Sequence, residues 1–134
     1  MFVRLSNKQI ALLIDEVKKI YPIEACGVLF GVIKDEEMHL KKIVPLRNVI
    51  KSESMFQIDP EDFLKILIVS EAEGLQHIGF FHSHPGNVKP SEIDLKYMKL
   101  WPESIWLIIS SLNYEIAAYQ IVNEHLREVP VEIE

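Results

Sequence analysis

Five consecutive apolar residues, Ile105-Trp106-Leu107-Ile108-Ile109, constrain this chain more than any other feature. The run is short for a helix, and as a strand it has no polar side to turn toward water. It suits a strand covered on both faces, which asks for a sheet with helices packed above and below it. Three segments supply those helices. Ser6-Asn7-Lys8-Gln9 is a capping-box start, with Leu5 placed to staple onto Ile10; Ile10, Leu13, Ile14, Val17 and Tyr21 follow at helical spacing, predicting a helix over 7–20 that Pro22 ends. Asp59-Pro60 opens a second, over 60–73, closed by Gly74. A third runs over 91–100, before Pro102.

Between the helices the pattern is extended. Glu24 to Ile33 reads as an apolar strand with Ala25, Gly27 and Gly31 on one face and Glu24, Cys26, Val28 and Phe30 on the other. The turn Lys34-Asp35-Glu36 joins it to a strand over 37–44, making a hairpin. Leu46 to Ser54 is irregular, Met55 to Ile58 a short strand, Gln76 to Phe81 another, and His82 to Pro90 a Gly- and Pro-bearing loop. Strands over 104–110, 114–121 and 126–133 complete the chain. The expected fold class is α/β (α+β): one domain over 1–134, a mixed β-sheet flanked by helices.

Composition narrows the function. With 134 residues, 49% of them hydrophobic, a core can form without staples, so a metal here would be functional rather than structural. The one cysteine excludes an internal disulfide framework and suggests a reducing compartment. Charges interrupt every apolar run near the N-terminus, and no stretch approaches the ~18 apolar residues of a membrane span, so the expected location is cytoplasmic, with no membrane partner. The net charge is −6 and the 14 Lys and Arg are scattered, which argues against a nucleic-acid partner.

The chemistry concentrates in His82-Ser83-His84-Pro85-Gly86-Asn87-Val88-Lys89-Pro90-Ser91-Glu92-Ile93-Asp94. In extended chain His82 and His84 share a face and can meet one metal ion, and Asp94, in the first turn of the next helix, can add a carboxylate oxygen. Two histidines and a carboxylate leave a tetrahedral zinc one open position for water, the catalytic arrangement. Such a water has its pKa lowered to about 7, and it needs a base to take its proton. Glu24, charged at the head of an apolar strand, is the candidate base, and Ser91 can donate a hydrogen bond to a developing oxyanion.

Pro22-Ile23-Glu24-Ala25-Cys26-Gly27 and, downstream, the segment from Gly79 to Leu95 resemble the JAMM (MPN+, JAB1/MPN/Mov34) zinc metalloproteases, particularly their small stand-alone prokaryotic type. The resemblance extends over nearly the whole chain and includes Asn48 and the Phe56-Gln57-Ile58-Asp59-Pro60-Glu61-Asp62 stretch. It implies that His82, His84 and Asp94 ligate zinc, that Glu24 is the general acid/base and that Ser91 stabilises the transition state. It further implies a cytidine-deaminase-like fold and hydrolysis of a peptide or isopeptide bond after the C-terminal tail of a ubiquitin-like modifier (desampylase activity) or a sulfur-carrier protein. One departure is the loop Pro85 to Pro90, a residue shorter than the family's spacing. A tail could add as a strand to an exposed edge, and the Val49 to Phe56 stretch is the expected edge.

Plainer readings stand beside these. Ser91-Glu92-Ile93-Asp94 also matches a helix capping box, and Cys26 reads as a small buried hydrophobe as readily as a neighbour of the metal. His39, His77 and His125 read as surface or edge residues, Trp101 and Trp106 as core and core margin. Three other functions compete: a catalytically silent MPN-type scaffold, against which all five site positions are intact; a non-haem Fe(II) oxygenase, which the helices do not suit; and a DNA-repair role, which the acidic balance discourages. A homodimer through the first helix or last strand stays open.

Overall fold

The computed structural model describes residues 1–134. Its elements run β1 (Phe2–Leu5), α1 (Asn7–Ile20), β2 (Cys26–Lys34), β3 (Glu37–Leu46), α2 (Pro60–Ala72), β4 (Gln76–His84), α3 (Glu92–Leu100), β5 (Ile105–Ser110), β6 (Ile116–Val122), β7 (His125–Val129) and β8 (Val131–Ile133). All eight strands form one mixed sheet in the order β7-β6-β5-β4-β2-β3-β1-β8. The two edge strands, β7 and β8, are consecutive in the chain and separated only by Pro130, so the sheet must curl until its edges approach one another.

That curl gives the sheet two unequal faces. On one, α1 sets Leu13 and Val17 among Val3, Leu29, Phe81, Leu107 and Ile109 in a cluster of 15 buried residues. On the other, α2 and α3 cover Val28, Phe30, Phe80, Trp106 and Ile108. The apolar run of β5 thus alternates between two cores, which is why it has no polar member. α1 starts as its sequence dictates: Ser6 Oγ accepts the Gln9 amide and the Gln9 side chain accepts the Ser6 amide. At Gly27 in β2, a Cβ would strike the Phe81 ring and the Val44 carbonyl, so the residue lets β3 and β4 close in on either side.

Several boundaries differ from expectation. Phe2–Leu5, read as part of no element, is a strand inserted between β3 and β8 and parallel to both. Met55–Ile58 is not a strand, because Asn48 captures this segment: its Nδ2 donates to the Met55 carbonyl and its Oδ1 accepts the Gln57 amide. β2 begins at Cys26 rather than Glu24, β3 continues to Leu46, and β4 runs through His84 instead of stopping at Phe81. The expected terminal strand over 126–133 is two strands, since Pro130 has no amide to donate and its carbonyl turns to accept Val3 N. No helix is long and apolar enough to cross a membrane.

Candidate metal centre and active site

The site lies where β4 ends, on the face covered by α2 and α3. β4 pairs antiparallel with β2, with Cys26 opposite His82, and parallel with β5, with Ile108 opposite His82. This central placement leaves the His82 side chain fully buried, stacked on Phe56 at 4.8 Å between ring centroids. His84, two residues on, keeps the same face and is partly open. Ser83 points the opposite way and fastens the strand to the segment before β2: its Oγ accepts the Ala25 amide at 2.7 Å, and its amide donates to the Ala25 carbonyl.

Asp94 completes a triangle from the first turn of α3. His82 Nε2 lies 3.1 Å from His84 Nε2 and 3.1 Å from Asp94 Oδ2, and His84 Nε2 lies 2.9 Å from the same oxygen. Zinc bonds of about 2.0–2.1 Å in a tetrahedron place their ligand atoms about 3.3 Å apart, so the donor set fits one such ion. Asp94 is also the N3 residue of a capping box, its Oδ2 accepting the Ser91 amide at 2.9 Å while Ser91 Oγ accepts the Asp94 amide. Cap and metal readings therefore describe the same residues at once. Burial alone would raise the Asp94 pKa, but the hydrogen bonds from both histidines reverse that and hold it far below the usual carboxylate range. Burial holds His82 below its ordinary value, which favours the neutral imidazole that a metal ligand requires.

Glu24 stands beside the triangle. It is 3% exposed, its Oε1 lies 3.8 Å from His82 Nε2, and with the two histidines it forms a group of donor atoms within 4.8 Å. Two histidine-carboxylate groups thus overlap, and the Asp94 one is the tighter. Burial, then repulsion from Asp94, pushes the Glu24 carboxyl up to about 8, and its Oε2 has no hydrogen-bond partner. A cation placed between the two carboxylates would relieve both conditions.

Glu24 lies just before β2, not at the head of the strand. Its amide donates to the Ser52 carbonyl and its carbonyl accepts Asn48 Nδ2, so a loop more than twenty residues downstream sets its position. A cleft lined by Glu24, Ser54, His84, Asn87, Lys89 and Ser91 opens the site to solvent. Phe56, Ser83 and the positioning role of Asn48 were not read from the sequence. Cys26, opposite His82 across the β2–β4 pair, shares the face of the triangle, and its Sγ donates to the Leu46 carbonyl. His77, expected at the surface, instead packs among Phe30, Phe63, Phe80 and Trp101. Trp106 is core and Trp101 its margin, as expected.

Residues 6–122 match the family described as prokaryotic homologs of the JAB domain. The chain belongs to the prokaryotic JAB family. This JAB protein is 37% identical over 113 residues to a desampylase from Pyrococcus furiosus, covering 84% of this chain and 77% of that one. It is 31% identical over 115 residues to a desampylase from Haloferax volcanii, covering 84% and 80%. An AMSH-like protease from Mus musculus matches at 25% over 123 residues, which is 88% of this JAB protein and 28% of the mouse protein. A protein from Desulfitobacterium hafniense, solved in solution, superposes with a TM-score of 0.88 at 26% identity over 99% of this chain and 93% of that one. The prokaryotic JAB protein is a hydrolase of the JAMM protease kind.

Proposed function

We propose that this protein is a zinc-dependent isopeptidase or peptidase that hydrolyses the bond after the C-terminal tail of a ubiquitin-like modifier or sulfur-carrier protein. The observation that carries the reading is the triangle of His82, His84 and Asp94 donor atoms with the Glu24 carboxylate beside it. Zinc held there would polarise the scissile carbonyl and bring a water's pKa to about 7. Glu24, 3% exposed and 3.8 Å from His82 Nε2, would take that water's proton and return it to the leaving amine. Ser91 Oγ accepts the Asp94 amide, which leaves the hydroxyl proton free to donate to the oxygen that gains charge. Asn48 holds Glu24 and the 49–57 loop in fixed relation, so the base and the expected tail-binding edge move together.

The test is a panel of fusions in which ubiquitin-like and sulfur-carrier proteins are joined to a reporter by peptide or lysine isopeptide bonds, assayed with and without a zinc chelator. Chelator-sensitive cleavage after the tail is expected. Metal analysis of protein purified without added metal should give zinc; iron would favour the oxygenase reading. A protein that holds zinc yet cuts nothing would point to a binding scaffold. Charge reversal within Val49–Phe56 should raise KM without changing metal content, and an unchanged KM would remove that stretch from the substrate path.

A further inference from the structure

The short loop between β4 and α3 presents one side chain that the proposed reaction does not use: Lys89, on the wall of the cleft that opens the site to solvent. Its backbone is fixed from both sides. Gly86, at φ 113°, makes a turn that a side chain would strain. Asn87 Oδ1 accepts the Lys89 amide at 3.0 Å, Val88 is buried in the cluster that α2 and α3 cover, and Pro90 restricts the residue before it. The Lys89 side chain itself is exposed. It is the only Lys or Arg that lines the cleft, and no acid neutralises it: the ion pairs of the chain's basic side chains engage Arg4, Lys19, Lys42, Arg47 and Lys65, and none reaches Lys89.

We infer that Lys89 selects among acceptors: its ammonium pairs with an acidic side chain next to the leaving amine, so that conjugates whose modified lysine has Asp or Glu among its neighbours are the better substrates. This inference rests on the proposed tail hydrolysis. Burial separates the role from the chemistry. Glu24, His82 and Asp94, which stand where the bond is cut, are 3%, 0% and 6% exposed, whereas Lys89 is open to water and meets substrate outside the reacting atoms. Position assigns the side of the bond. Besides Glu24, His84 and Ser91, the cleft takes Ser54 from the stretch expected to receive the tail, and Asn87, Lys89 and Pro90 from the β4–α3 loop. A tail taken up along the Ser54 side, with its last carbonyl at the triangle, leaves the second loop to the group beyond the bond. Charge selects the occupant. A chain of net charge −6 repels acidic partners at long range, and an unpaired lysine on the cleft wall reverses that sign locally, where the acceptor has to approach. An exposed pair of this kind is weak and screened, so it biases the choice of acceptor by about three- to fivefold instead of dictating it.

The test uses conjugates in which a modifier that the protein cuts is joined to the ε-amine of a lysine in a short peptide, with Asp, Ser or Lys placed one or two residues to either side. Asp beside the acceptor should lower KM by about three- to fivefold relative to Lys and move kcat little, because the pair holds substrate and transition state alike. Lys89→Gln should flatten the preference and Lys89→Glu should invert it, a reversal that a merely structural lysine would not produce. In about 1 M salt, where charges are screened beyond about 3 Å, the wild-type preference should fade. Equal KM for Asp and Lys neighbours, a preference that survives Lys89→Glu, or a charge dependence confined to the tail would overturn the inference while leaving the reaction standing. Where no conjugate is cut, the same peptides carrying Gly-Gly on the lysine are titrated into zinc-loaded protein and followed by NMR. Tighter binding of the Asp peptides, inverted by Lys89→Glu, would then keep the inference and overturn the hydrolysis; equal binding would overturn both.

Discussion

The two faces of the sheet are built for different ends. The α1 face is closed and aliphatic: Val3, Leu5, Leu13, Leu29, Phe81 and Ile109 are 0% exposed, and the cluster contains no titratable group. The α2–α3 face is aromatic, partly open and chemically unsettled. It holds the buried Glu24, His82 and Asp94, leaves Glu24 Oε2 and His82 Nδ1 without partners, and exposes Tyr97, Leu100 and Trp101. Stability is concentrated where nothing reacts, and the groups that cost stability are gathered where reaction is expected.

That contrast can be broken from either side. The largest effect belongs to Glu24→Gln, which keeps shape and removes the base: hydrolysis should fall by about 10³-fold with bound zinc unchanged, measured as kcat alongside metal content. Loss of zinc in this variant would make Glu24 a ligand. The same substitution should sharpen the contrast in metal-free protein. With its pKa raised from 4.5 to about 8, Glu24 in the native state holds a proton that the unfolded chain has released, so its contribution to stability declines as pH rises across that interval. Thermal melts of metal-free wild type and Glu24→Gln should therefore diverge in favour of the variant between pH 4.5 and 8.

Leu13→Ala, on the opposite face, should cost about 3 kcal/mol and lower Tm by roughly 10 °C, while kcat below the melt stays near wild type. A matching loss of kcat would mean that the two cores are coupled through the sheet. Ser91→Ala should do both things on a smaller scale: a kcat loss of about 10²-fold from the missing donor and about 1 kcal/mol from the missing cap. The smallest effect is expected at Cys26. Burial, then the Glu24 charge, pushes its thiol up to about 12, so an alkylating reagent should leave the folded protein unlabelled at neutral pH and react only on unfolding, as mass spectrometry would show.

What the sequence disclosed follows the range over which each signal acts. Capping boxes at Ser6 and Ser91 and the Asp59-Pro60 start are local, and all three helices stand within a residue of expectation. The continuous apolar run of β5 announced its two-sided burial. His82, His84 and Asp94 were legible because strand period and helix start place them within thirteen residues of one another. Glu24 stood out as a charge before an apolar strand and through the resemblance, but its surroundings did not, since Ser52, His82 and Asp94 come from distant segments. β1 escaped notice for a related reason: four residues carry little periodicity, and the partners that make Phe2–Leu5 a strand, Glu37–His39 and Val131–Ile133, lie far along the chain. Asn48 entered only as part of the resemblance, and what it holds is seen only once the 47–57 loop wraps around its amide.

The insertion of β1 between β3 and β8 also bears on the order in which the molecule can assemble. Val3 faces Val131 and Leu5 faces Ile133, so one long side of β1 stays unpaired until β8 is in place. Closing that register across nearly the entire length of the chain is entropically late, whereas the β2–β3 hairpin and the capped helices can form early. The candidate site residues, drawn from 24 to 94, and β5 beside them can be in place before the sheet is sealed, which makes the pairing of β8 with β1 the step that closes the fold.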